Sequence, residues 1–116
     1  MCHVLIIEDE WLIAEYLIEL VEEAGATSIA TAATEDEAIT AARERTPTII
    51  LSDVSLRAGT GPRAVQIIMA EAGEIPVIFI TGTPERCKPC NPPSVILCKP
   101  VQRQRVMDAF RQLVPL

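Results

Sequence analysis

Four short apolar runs recur along the chain, and each stops on a polar residue of a different chemical type. Val4-Leu5-Ile6-Ile7 runs into Glu8-Asp9, and Thr48-Ile49-Ile50-Leu51-Ser52 ends on Asp53. Val77-Ile78-Phe79-Ile80 ends on Thr81, and Val95-Ile96-Leu97-Cys98 ends on Lys99-Pro100. Brief β-branched runs followed by turn residues read as strands of a parallel sheet buried on both faces. Ser28 to Ala32 adds a further short strand.

The intervening segments carry helical periodicity. A helix is predicted from about Glu10 to Ala24, with Ile13, Tyr16, Leu17, Leu20 and Ala24 as its apolar stripe and Gly25 as its stop. Thr34 caps a second helix from about Glu35 to Arg45, with Glu37 completing a capping box. A third runs from about Pro62 to Ala72, with Pro in its first turn and Gly73 behind it. The last, about Gln102 to Leu113, buries Val106, Met107, Phe110 and Leu113. Where a fourth crossover helix belongs, Pro84, Pro89, Pro92 and Pro93 crowd residues 82–93. Pro inside a helix costs about 3 kcal/mol, so at most one helical turn is predicted, around Pro84 to Cys87, followed by an irregular loop. Strands alternating with helices through right-handed crossovers give a doubly wound α/β sandwich.

Composition narrows the picture. A length of 116 residues suits one domain, expected here without a linker or an output domain. Aromatics make up only 3% of the chain, so Ile, Leu, Val and Ala must do the packing. A net charge of −6 works against binding nucleic acid or an anionic membrane, both of which demand a cationic face. No apolar run approaches the roughly 20 residues that span a bilayer. The chain starts directly on a strand, with no basic-then-apolar leader, so a cytoplasmic location is expected. Such a chain needs no disulfide framework, and Cys98, inside an apolar strand, is expected to be a small core residue.

In an open α/β sheet, function gathers beyond the carboxyl ends of the strands. A carboxylate pair, a lone Asp, a hydroxyl and a Lys would meet there, a mixture suited to phosphoryl transfer. Each has an ordinary alternative: Glu8 and Asp9 as helix-start charges, Asp53 as a loop residue, Lys99 as a solvated strand end. Their convergence at one edge favours a site.

Glu8-Asp9, Asp53, Thr81 and Lys99-Pro100, each at its own strand end, with Gly61 in the loop after Asp53, resemble the receiver domain of two-component response regulators along the whole chain. The resemblance implies a flavodoxin-like five-stranded parallel sheet in the order 2-1-3-4-5, with its fourth helix short or irregular here. It implies that Asp53 is the nucleophile that accepts a phosphoryl group from a phosphohistidine. It further implies Mg²⁺ held by Glu8, Asp9, Asp53 and the backbone carbonyl of Ser55. Lys99 would place a compact charge against the phosphoryl oxygens, and Thr81 would hydrogen-bond one of them. The family pattern makes a cis bond before Pro100 expected. Ser55 and Thr83 stand where the family tunes hydrolysis.

Two departures bear on signalling. Ile96 occupies the position where receivers commonly carry a switch aromatic, and Arg57 stands where many have Pro. The stretch Pro76-Val77-Ile78-Phe79-Ile80-Thr81-Gly82-Thr83 resembles a divergent Phe-x-Thr-Gly subgroup, frequent in alphaproteobacteria. That subgroup includes stand-alone receivers and the receiver of a general-stress-response anti-anti-sigma regulator. Gly82 and Thr83 are therefore read as the switch, in place of an aromatic at Ile96. Trp11, Ala14 and Ile18 are read as an outward apolar patch on which a kinase's phosphohistidine helices would dock. The implied partners are a sensor histidine kinase or histidine phosphotransfer protein and a downstream regulator or kinase, with the chain acting as a monomer that relays or drains phosphoryl groups and turns over no metabolite. Two other readings stand beside this one. One is a pseudo-receiver used only for protein binding. The other is a redox or metal module on Cys87-Lys88-Pro89-Cys90, which lacks a helix N-terminus and a full ligand set.

Overall fold

The computed structural model describes residues 1–82 and 94–114. Five parallel strands, β1 (His3–Ile7), β2 (Ser28–Ala32), β3 (Ile49–Ser52), β4 (Val77–Thr81) and β5 (Ser94–Cys98), form one sheet in the order β2-β1-β3-β4-β5. The described helices are α1 (Trp11–Glu23), α2 (Glu35–Glu44), α3 (Gly61–Ala72) and α4 (Arg103–Leu113). This is the flavodoxin-like receiver topology, with the order reversing between β1 and β3. The turn expected near Pro84–Cys87, together with Thr83, Cys87 and Cys90, lies outside the described residues.

Strand side chains alternate between the two faces, which is why the runs are apolar at every position. Val4, Ile6, Ile49, Leu51, Ile78 and Ile80 pack into the core beneath α1 and α4. Leu5, Ile7, Ile50, Val77 and Phe79 join the core beneath α2 and α3. Phe110 and Phe79, both almost wholly buried, anchor one core each.

Local signals fix the helix starts. Thr34 Oγ1 accepts from the Glu37 N–H at 3.1 Å, and the Glu37 carboxylate accepts from the Ala33 N–H at 2.9 Å. The box therefore closes one residue before the cap. Thr60 caps α3 by accepting from the Arg63 N–H at 3.2 Å, and Gly73, at φ 89°, ends it.

Two expectations are corrected. The buried stripe of α1 is Ala14, Leu17, Leu20 and Val21, while Tyr16 is exposed. Ala14 is thus not outward: it is buried, though it lacks the bulk to mark a buried position by hydropathy. Cys98 is exposed and not in the core. On β5, at one edge of the sheet, Val95 and Leu97 pack inward, while Ile96, 41% exposed, shares the other face with Cys98.

Candidate functional site

The carboxyl ends of β1, β3, β4 and β5 bring together Glu8, Asp9, Asp53, Thr81 and Lys99. One carboxylate oxygen each from Glu8, Asp9 and Asp53 lies within 4.8 Å of the others. Lys99 Nζ donates to Asp53 Oδ2 at 3.1 Å and stands 3.7 Å from Glu8 Oε1. Three acids against one ammonium leave the cluster anionic, and its oxygens are spaced to share a hard cation. That donor set fits Mg²⁺.

Main-chain bonds hold each group. The Asp53 N–H donates to the Ile7 carbonyl at 2.8 Å, locking the end of β3 to β1. Asp53 Oδ1 accepts from the Val54 N–H at 2.7 Å, so both of its oxygens are engaged. Glu8 Oε2 accepts from the Glu10 N–H at 3.1 Å. Asp9 Oδ2 accepts from the Arg57 N–H at 2.8 Å. The Lys99 N–H donates to the Thr81 carbonyl at 2.8 Å, and the Lys99–Pro100 bond is cis. Thr81 itself is buried at the end of β4.

Electrostatics follow from burial. Removal from water pushes the Glu8 carboxyl up to about 7, against the opposing Glu10 N–H; the Asp53 charge adds to the rise and Lys99 resists it. For Lys99, burial pulls the ammonium down, but the bond to Asp53 and the charges of Glu8 and Asp53 outweigh it, and the net shift is upward. The ammonium is therefore held charged where anionic oxygens would gather.

Gly61 explains how tightly the loop after Asp53 folds back. A Cβ there would lie 1.8 Å from the Asp53 carbonyl oxygen and 2.2 Å from Ser52 Oγ, so no other residue fits without backbone movement. The Gly61 N–H meanwhile donates to the Val54 carbonyl at 2.9 Å. Ser55 bridges Thr60 across the base of the loop.

Beside the acids opens a groove of about 430 Å³, flanked by Trp11, Glu15, Ile18, Glu37 and Arg57 with Ala14 in its lining. Trp11 is 70% exposed and Ile18 half-buried, while Ala14, read from the sequence as outward, is buried. Gly82 is exposed; among the described residues a Cβ added there would meet nothing within 4 Å, and its φ is not positive. Its present conformation does not demand glycine. The main-chain role of Arg57 had no side-chain signal; only the lack of Pro at that position hinted that a donor was free.

The response regulator receiver domain family matches residues 4–111, and the chain belongs to that family. It is 39% identical over 112 residues to the phyllosphere-induced regulator PhyR of Methylorubrum extorquens, covering 94% of this chain and 42% of that protein. The chain thus spans about two fifths of that curated relative. The PhyR receiver domain of Erythrobacter litoralis is 38% identical with a TM-score of 0.86, covering 97% of this chain and 88% of that one. The receiver domain of a Pseudomonas aeruginosa sensor histidine kinase, solved with a magnesium ion coordinated in its active-site cleft, shares the fold at TM-score 0.84 and 21% identity, covering 97% of each chain.

Proposed function

We propose that this receiver domain accepts a phosphoryl group on Asp53 from a histidine kinase or histidine phosphotransfer protein, in a Mg²⁺-dependent reaction, and signals by contact with another protein. The single observation that carries the reading is the Lys99–Asp53 pair set against the Glu8, Asp9 and Asp53 oxygens. An Asp oxygen attacks phosphorus, a P–O bond forms as the P–N bond to the donor imidazole breaks, and the electron pair leaves with the imidazole.

Mg²⁺ held by Glu8, Asp9, Asp53 and the Ser55 carbonyl would neutralise the approaching phosphoryl oxygens. Lys99, already bound to Asp53 Oδ2, would follow the transferred charge onto the phosphoryl group. Thr81, at the neighbouring strand end, would hydrogen-bond one of its oxygens. Gly82 and Thr83 next along the chain would carry that movement outward, and exposed Ile96 has no ring to swing inward in response. Trp11 and Ile18, beside the acids, would meet the donor's helices, with Ala14 beneath them.

The relatives are signalling proteins, and by the same reading this chain is a cytoplasmic monomer without turnover of a metabolite. Among the described residues, no helix is long and apolar enough to cross a membrane. Beryllofluoride with Mg²⁺ tests the site: amide shifts at Asp53, Val54, Thr81 and Lys99 are expected. A spectrum unmoved by both reagents would leave a pseudo-receiver in its place.

A further inference from the structure

The loop between β3 and α3 does more than carry Asp53 away from the sheet. It crosses the acids, and the Arg57 N–H donates to Asp9 Oδ2 at 2.8 Å. The loop is pinned to α2 on its far side. The Glu35 N–H donates to the Ala58 carbonyl at 3.1 Å, and the Glu35 carboxylate stands 3.3 Å from Arg63 Nε. Gly59, at φ 84°, lets the chain pass where a Cβ would lie 2.5 Å from the Glu35 side chain. A proline at position 57, which has no N–H, could not make the bond to Asp9.

We infer that the main-chain N–H of Arg57 is a positioning group for the cation site, holding the Asp9 carboxylate beside those of Glu8 and Asp53 before an ion arrives. The inference rests on the Mg²⁺ reading above. Asp9 sits at the rim, half-buried, where an unrestrained carboxylate would rotate into water. A carboxylate offers about four acceptor sites, so the single bond from Arg57 need not break when Asp9 takes a ligand position. Partners that orient ligating groups in this way are typically worth about 10- to 100-fold in metal affinity. The exposed setting of this bond puts the expected effect near the lower figure.

The test titrates ¹⁵N-labelled protein with MgCl₂ and follows the Val54 and Thr81 amides in wild type, Arg57→Ala and Arg57→Pro. Alanine keeps the N–H and removes the guanidinium; proline removes both. The expected result is a Kd for Arg57→Pro about tenfold above that of Arg57→Ala. Equal values, or tighter binding by Arg57→Pro, would overturn the inference while leaving the metal site standing. A wild type that gives no Mg²⁺ response would overturn the metal reading and this inference with it. Should Arg57→Pro fail to fold, hydrogen exchange decides on the other chains. The Arg57 amide should be protected in wild type and lose at least tenfold of that protection in Asp9→Ala; an amide that exchanges equally fast in both overturns the inference.

Discussion

Replacing Gly61 with alanine perturbs the site without touching any charged group. The added Cβ would stand 1.8 Å from the Asp53 carbonyl oxygen, about 1.6 Å short of the 3.4 Å at which ordinary contact begins. The obstructing atom is backbone, and the Asp53 N–H is itself bonded to Ile7, so a side-chain rotation cannot relieve the clash. Either α3 slides outward or the Asp53 peptide shifts. Overpacking of this kind costs about 1–3 kcal/mol, and the backbone obstacle places this case near the upper end of that range. For a domain of this size that lowers Tm by roughly 10 °C. A displacement near 1 Å at a reacting group can cost about 100-fold in rate, so labelling of Asp53 by acetyl phosphate should fall by one to two orders of magnitude. Gly82→Ala is the matched control: among the described residues nothing lies within 4 Å of its Cβ position and its φ is not positive, so Tm should hold or rise slightly. Thermal melts and labelling rates of both variants check the argument. A Gly61→Ala protein that melts within about 1–2 °C of wild type and labels at its rate (a shift well below that from ~1 kcal/mol) would refute it.

Three further outcomes are expected. Lys99→Ala removes the ammonium 3.1 Å from Asp53 Oδ2 and should slow labelling by roughly 100-fold or more, while Mg²⁺ still binds the three acids; stopped-flow labelling and a Mg²⁺ titration separate the two effects. Because burial raises Glu8 to about 7, a proton competes with the ion, so Mg²⁺ affinity should climb between about pH 6 and pH 8 and level off above, with Glu8→Gln flattening the profile. Without metal the sign reverses for stability: the folded value lies above the ordinary 4.5, so this group's contribution weakens as pH rises from 4.5 to about 7, and melts across that range check it. Trp11→Ala and Ile18→Ala should slow phosphoryl transfer from a cognate kinase while leaving acetyl phosphate labelling intact; equal kinase rates would make the patch incidental.

The strand ends were legible because each buried run breaks on a residue that cannot be buried without a purpose. Glu8, Asp53, Thr81 and Lys99 interrupt apolar sequence, and the parallel order carries them to one edge. Cys98 was misread because a run of apolar residues does not reveal whether its strand ends up central or at the edge. Ala14 was misread because a methyl group gives almost no hydropathic signal, so its burial on α1 leaves little trace in the sequence. The Arg57–Asp9 bond was invisible in side-chain chemistry since every non-proline residue offers the same N–H. The pKa of Glu8 depends on how deeply the end of β1 sinks into the molecule, which follows from packing and not from the Glu-Asp pair itself.

The most direct measurement is intact mass after incubation with Mg²⁺ and acetyl phosphate, beside Asp53→Ala. The account predicts a single added phosphoryl group on wild type, removed by hydroxylamine as an acyl phosphate must be, and none on the variant. An adduct that persists in Asp53→Ala, or a wild type that takes up none while remaining folded and Mg²⁺-bound, would contradict it.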